Sequence, residues 1–115
     1  MEELDMELFA IRRRSAWADT SELEKTAAKS ARIGDEEMAN QVRWIRSYVV
    51  AESDGRLGTI CISEAKDMAS LRDHARRVGM PGEDIEAIVK TVVVRTDPQD
   101  ASASASRSYR NARLR

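Results

Sequence analysis

The chain has 115 residues, enough for one domain with its own core and too few for two. Its formal net charge of −1 excludes a protein that binds nucleic acid through overall charge, and no apolar run approaches the ~20 residues of a membrane span. The single cysteine, Cys61, excludes an internal disulfide and, with an acidic N-terminus unlike a secretory signal, predicts a cytoplasmic protein.

The N-terminal part of the chain predicts a strand followed by a helix. Residues 6–13 carry apolar side chains on both sides and predict the first strand. Residues 19–32 predict the first helix, because residues 19–21 offer several capping side chains and apolar residues recur at a spacing of four. We expect this helix to end at Gly34. We expect a second, separate helical piece to follow it and to extend to Gln41.

The rest of the chain predicts a hairpin, a second helix and a last strand. Residues 42–52 and 57–64 are rich in β-branched and aromatic side chains, and the Asp-Gly pair at 54–55 is a hairpin dipeptide. Residues 67–78 begin with a capping aspartate and precede a glycine, which predicts the second helix. Residues 85–95 contain a continuous apolar run and predict the fourth strand.

The order β-α-β-β-α-β is typical of a ferredoxin-like α+β sandwich, in which a four-stranded antiparallel sheet carries both helices on one face. We assign this domain to residues 1–96. From Asp97 onward the composition turns to Ser, Ala and Arg, which predicts a disordered C-terminal tail over residues 97–115. Its four arginines could contact an acidic partner, although the balanced charge of the chain makes nucleic acid an unexpected one.

The turn at 54–55 determines which side chains of the hairpin share a face of the sheet. With a two-residue loop, Ser53 lies opposite Arg56, and the aliphatic side chains of both strands face the helices. The face that the helices leave bare then carries Trp44, Arg46, Tyr48, Cys61 and Ser63. A three-residue loop would shift one strand by one residue against the other and undo this assignment.

A bare sheet face with tryptophan and tyrosine is costly to leave in water, so we expect a second copy of the chain to cover it. Two ferredoxin-like sheets stacked in this way form a dimeric α/β barrel, which is either filled by side chains or holds a small ligand. Arg46 inside it needs an anion from the ligand or the protein. We therefore predict a ligand site at Arg46, Tyr48, Cys61, Trp44 and Ser63. The simpler alternative is packing, with a salt bridge from Arg46 to Glu64 or a neighbouring acid.

Two further residues are candidates for acid–base chemistry. His74 on the second helix could act as a proton carrier, or could simply hydrogen-bond the backbone of the following turn. Glu64, at the end of the third strand, could cap the helix-two turn or lie at the barrel mouth. The sequence has no phosphate-binding loop, no Ser-His-Asp signature and no Cys/His cluster with metal-ligand spacing, so we predict no metal site and name no cofactor.

Five short segments together resemble a known family: WIRSYV at 44–49, DG at 54–55, ICISEA at 60–65, HARRVGMP at 74–81 and VVVRTDP at 92–98. They are similar to the nickel-binding-protein-like domains, a family of ferredoxin-like proteins of unknown function. The resemblance implies the ferredoxin-like fold and a tendency to dimerise. It also implies nickel through histidines after the first strand, but this chain has three arginines there, at 12–14, and no histidine.

Three functions remain open at this point. The one we favour is a homodimeric module that binds a small anionic or aromatic molecule, or a metal ion, on the bare face. The second is a cofactor-independent enzyme of the dimeric-barrel type, which requires His74 or Glu64 to point into the barrel. The third is a structural or interaction protein that uses the bare face to dimerise and the basic tail to contact a partner.

Overall fold

The computed structural model describes residues 5–98, in which two helices pack on one face of a single four-stranded sheet. The elements follow in the order β1 (Glu7–Trp17), α1 (Thr20–Glu37), β2 (Val42–Ala51), β3 (Leu57–Ala65), α2 (Met68–Val78) and β4 (Ile85–Ala87). All pairings are antiparallel and the strand order is β2-β3-β1-β4. The predicted ferredoxin-like α+β fold is therefore confirmed. Most of the predicted tail, from residue 99 onward, lies outside the described residues.

Both helices begin where the sequence places an aspartate. The Asp19 carboxylate accepts a hydrogen bond from the Glu22 N–H at 2.9 Å, and the Asp67 carboxylate accepts one from the Ser70 N–H at 2.8 Å. Each bond satisfies a backbone donor that the first helical turn leaves free. Neither described helix combines the length and the apolar character that a membrane crossing requires.

The first helix and the first strand are both longer than predicted. α1 continues through Gly34 to Glu37, because a glycine inside a helix costs only about 1 kcal/mol and the buried Ile33 and Met38 hold the last turn against the core. β1 continues from Arg13 to Trp17 through an irregular stretch in its pairing with β3. The extension brings Trp17 over the core, where only 5% of it is exposed.

The β2–β3 hairpin does not have the predicted two-residue loop. The Glu52 N–H donates to the Arg56 carbonyl at 2.9 Å, so the loop consists of the three residues 53–55. Gly55 has a φ of +87°, the left-handed conformation that three-residue hairpin loops require at their last position. The Asp-Gly pair thus marks the turn correctly but belongs to a longer loop.

The longer loop shifts the two strands by one residue relative to the predicted register. Tyr48 lies opposite Ile60, whereas Ser47 lies opposite Cys61. Because neighbours across a ladder share a face, Cys61 turns toward the helices and Ile60 toward the bare face. The predicted placement of Cys61 beside Tyr48 is therefore wrong.

An irregularity in β2 also reverses the predicted side for Trp44. The register changes between Trp44 and Arg46, which leaves Ile45 as an extra residue, and Trp44 then lies opposite Ser63. Such a bulge turns the side chains that precede it to the other face. Trp44 and Ser63 therefore lie on the helix side of the sheet, while Arg46 stays on the bare face as predicted.

The fourth strand is much shorter than the predicted 85–95. Ile85 lies opposite Ile11 and Ala87 opposite Phe9, so each step along β4 moves one residue back along β1. β1 begins at Glu7, and beyond Val89 this register has no partner left in the strand. The predicted β4 is wrong in length because a strand needs a neighbour for its backbone groups, whatever its composition.

Candidate functional site

On the bare face, Arg46 and Tyr48 are bound to a carboxylate of the same chain. Arg46 Nη1 lies 2.8 Å from the Asp97 Oδ2, and the Tyr48 hydroxyl donates to the same oxygen. The hydrogen bond from Tyr48, followed by Arg46, lowers the pKa of Asp97. Of the two salt-bridge partners considered for Arg46, Glu64 is not the one observed, since it lies 3.4 Å from Arg43, and the acid that Arg46 contacts is Asp97. Arg46 therefore already has the anion that a ligand was expected to supply.

On the helix side, a cavity of about 730 Å³ lies between α1 and the sheet. Its volume falls within the range of small-molecule sites. The cavity exists because small side chains face one another across it: Ala27, Ala31 and Gly34 from α1, and Thr59, Cys61 and Ser63 from β3. Larger side chains at these positions would close the space.

Part of the cavity wall is aromatic and aliphatic. Trp44 and Val49 line it and are 43% and 41% exposed, which places them where the cavity meets solvent. Trp17 lines it from β1, and its indole N–H donates to the Thr26 hydroxyl at 2.9 Å. A flat apolar molecule would find two indole rings here.

Arg13 lines the same cavity and is 4% exposed. Its Nε donates to the Pro81 carbonyl at 2.6 Å, and its Nη1 donates to the Cys61 sulfur at 3.2 Å. Among residues 5–98, no carboxylate oxygen lies within 4.0 Å of this guanidinium. Burial lowers the pKa of Arg13, although the Cys61 sulfur acts in the opposite direction.

The two arginines beside Arg13 are in a different situation. Arg12 lies 3.1 Å from Glu52, and Arg14 lies 2.5 Å from Asp84. Because strand residues alternate between faces, the middle arginine of the three points inward, opposite to its neighbours. The three consecutive arginines therefore do not share one environment, and Arg13 is the buried one.

A line of polar contacts crosses the cavity wall from β2 to β1. The Trp44 indole N–H donates to the Ser47 hydroxyl at 2.8 Å, and that hydroxyl donates to the Cys61 sulfur at 3.0 Å. Arg13 donates to the same sulfur from the opposite side. Cys61 is thus a buried thiol whose sulfur receives two hydrogen bonds.

His74 also lines the cavity, but it is not paired with Glu64. Its Nε2–H donates to the Ser30 carbonyl of α1 at 3.1 Å, so the predicted bond to the turn backbone is wrong. Burial lowers the pKa of His74, whereas the hydrogen bond to Ser30 raises it by a smaller amount. The imidazole is therefore neutral near pH 7. Glu64 lies on the other side of the sheet. The two candidate acid–base residues therefore do not share a site.

The five predicted ligand residues are divided between the two sides of the sheet. Arg46 and Tyr48 lie on the bare face, whereas Trp44, Cys61 and Ser63 line the cavity. Sequence reasoning missed Arg13, Ser47 and Thr59. One signal could have found the cavity: β3 carries only small residues at alternate positions, Thr59, Cys61, Ser63 and Ala65, which face the helices.

Comparison with known proteins connects this architecture to one family. The profile described as nickel responsive protein SCO4226-like matches residues 9–88. No curated protein matches the sequence. The crystal structure of SCO4226 from Streptomyces coelicolor A3(2) is similar in fold, with a TM-score of 0.61 and 15% sequence identity, covering 74% of this chain and 99% of that one.

Proposed function

The chain belongs to the SCO4226-like family of nickel-responsive proteins, and we propose that it is a binding module for a small organic molecule held between α1 and the sheet. Membership of this family agrees with the resemblance found in the five sequence segments. The observation that carries the proposal is the cavity of about 730 Å³, which combines apolar walls with a few converging polar groups. The bare face, where we first expected the ligand, has its arginine bound to Asp97.

Nickel is the ligand that the family description suggests. Among residues 5–98, no three His, Cys, Asp or Glu side chains lie close enough together to hold a metal ion. The one imidazole in the chain, His74, donates to Ser30, and the one thiol, Cys61, accepts from Arg13 and Ser47. These donors do not fit a nickel ion within one chain. An organic ligand fits the cavity better.

The position of Cys61 provides a direct test. It is the only cysteine in the chain and it lines the cavity, so a molecule bound there should shield it from iodoacetamide. We expect the apolar fluorophore N-phenyl-1-naphthylamine to bind with a rise in fluorescence and to slow alkylation of Cys61. The cytoplasm, which the lone cysteine favours as the location, would keep this thiol reduced.

A cavity-filling variant is the matched control for this test. Ala31 lines the cavity from α1, and Ala31→Phe should abolish both the fluorescence rise and the protection while circular dichroism stays unchanged. If the thiol is too buried to react, the loss of fluorescence in Ala31→Phe decides instead. Binding that survives in Ala31→Phe would place the probe elsewhere and refute the proposal.

A second candidate function is self-association through the bare face. Ile60 and Tyr48 are 36% and 41% exposed there, and Val92, Val93 and Val94 are all more than 60% exposed. Monomeric proteins seldom leave so much apolar surface in water, and a second copy would present the same surface. We expect a homodimer in sedimentation equilibrium, which Ile60→Glu should dissociate. A wild-type protein that stays monomeric at 100 μM, on the order of the highest useful concentrations, would rule it out.

A further inference from the structure

We infer that the ligand of the cavity is a monoanion, with its charged group on Arg13 and an aromatic or aliphatic body against the apolar lining, which includes Trp17 and Trp44. This inference rests on the proposed function, since it names the chemical class of the molecule in the same cavity. It follows from the charge, the geometry and the lining of the cavity.

The charge of Arg13 is the first reason. A buried guanidinium that lacks a carboxylate partner is costly, and proteins normally pair such a charge. In the described part of the chain, Arg12 and Arg14 have carboxylate partners and Arg13 does not. An anion from outside the chain would supply the missing charge.

The geometry of Arg13 is the second reason. Its Nε and Nη1 are engaged by the Pro81 carbonyl and the Cys61 sulfur, whereas its Nη2 makes no hydrogen bond to any residue between 5 and 98. The two bonds hold the planar group in place and leave one edge available. An arginine that is already held loses little conformational freedom when it binds an anion.

The rest of the lining limits the ligand to a single charge. Arg13 is the only guanidinium among the buried residues of the cavity, where the imidazole of His74 is neutral near pH 7. Arg43 lines the cavity from an exposed position on β2 and is paired with Glu64, whereas Glu24 and Asp35 line it from exposed positions on α1. These carboxylates would repel a polyanion such as a nucleotide. A carboxylate or sulfonate on an apolar body avoids them by placing its charge at Arg13 and its body against Trp17 and Trp44.

Two probes that differ by one charge test the inference. The neutral probe is N-phenyl-1-naphthylamine. The anionic probe, 1-anilinonaphthalene-8-sulfonate, is the same molecule with an added sulfonate. We expect the wild-type protein to bind the sulfonate at least about tenfold more tightly than the neutral probe, since a buried charge-assisted contact is worth at least that factor. Both should slow alkylation of Cys61, which locates them in the cavity.

Arg13→Gln should remove the preference for the sulfonate, and Arg14→Gln, which changes the net charge equally, should keep it. Equal affinity of both probes for the wild-type protein would overturn the inference and leave the proposed function standing. Failure of both probes to bind the wild-type protein would overturn the inference and the proposed function together. If Arg13→Gln does not fold, the comparison of probes on the wild-type protein still decides.

One internal group could take the place of the ligand at Arg13, namely the Cys61 sulfur, which accepts a hydrogen bond from Nη1 at 3.2 Å. In that case the wild-type protein would bind both probes equally, and Cys61→Ser would create a preference for the sulfonate, because removing the sulfur frees Arg13. That result would overturn the inference. A preference that is present in the wild-type protein and unchanged in Cys61→Ser supports it.

Discussion

Arg13 and Cys61 are in contact in the wall of the cavity, where the guanidinium Nη1 lies 3.2 Å from the sulfur. They lie on neighbouring strands but are not opposite each other, since Ile11 is the partner of Cys61 and Thr59 is the partner of Arg13. The contact is therefore a diagonal one across the β1–β3 ladder, which a long arginine side chain can span. It brings a cation and a thiol together where no carboxylate of residues 5–98 lies within 4.0 Å of the guanidinium.

Because no carboxylate among residues 5–98 pairs with the buried charge of Arg13, Arg13→Met should change the free energy of unfolding of the ligand-free protein by less than about 1 kcal/mol. Relief of the desolvated charge offsets the lost bond to the Pro81 carbonyl. Urea unfolding would measure this, with Arg14→Met as the exposed control. A loss of about 3 kcal/mol or more would show that Arg13 has an internal counter-charge.

The buried His74 should make the protein less stable in mild acid. Its pKa lies below the ordinary value of 6.5 because burial disfavours the charged ring, so the unfolded chain binds the proton more tightly than the folded protein. The free energy of unfolding should therefore fall as the pH drops below about 6.5, by at most about 1.4 kcal/mol per pH unit, until the folded pKa is passed.

Urea unfolding at about pH 7.5 and about pH 5.5 would measure this loss. His74→Gln keeps an N–H donor for Ser30 but does not titrate, so it should flatten the dependence in this window. The carboxylates of Asp67 and Asp97 have lowered pKa values and therefore titrate below this pH window. An unchanged slope in His74→Gln would assign the dependence to another group.

Two glycine-to-alanine changes should have opposite effects on stability. Gly55 has a φ of +87°, so Gly55→Ala should cost about 1 kcal/mol. Gly34 lies inside α1, and a Cβ there would meet its nearest atoms at 3.7 and 3.8 Å, an ordinary contact distance. Gly34→Ala should therefore stabilise the protein by about 0.5–1 kcal/mol in thermal or urea unfolding. A stabilising Gly55→Ala would contradict the hairpin geometry, and a destabilising Gly34→Ala would contradict the contact distances in α1.

Asp97→Asn should lower the melting temperature only slightly, and by less than Gly55→Ala. The carboxylate holds Arg46 and Tyr48, but all three are exposed, so water and salt screen the interaction. The difference between wild type and variant should vanish in about 1 M NaCl. A difference that persists in high salt would mean that the contact acts through packing rather than charge.

Local features were enough to predict most elements. Asp19 and Asp67 cap their helices as their positions in the sequence indicate, and the Asp-Gly pair marks the hairpin. These signals depend on neighbours within a few residues, so they can be read from the chain directly. The βαββαβ order and the ferredoxin-like fold follow from them.

What the tertiary structure decided is where each side chain points and which neighbour it meets. One extra loop residue and the bulge at Ile45 moved Cys61 and Trp44 to the cavity side, and β4 stopped because β1 offered no further partner. The side chains of a strand alternate with a period of two, so a shift of one residue moves every side chain of the strand to the other face. Here that shift depended on the length of the loop and on the bulge, which the sequence left open. The burial of Arg13 without a carboxylate depends on packing among β1, β3 and the segment at Pro81, which are distant in the sequence and adjacent only in the fold.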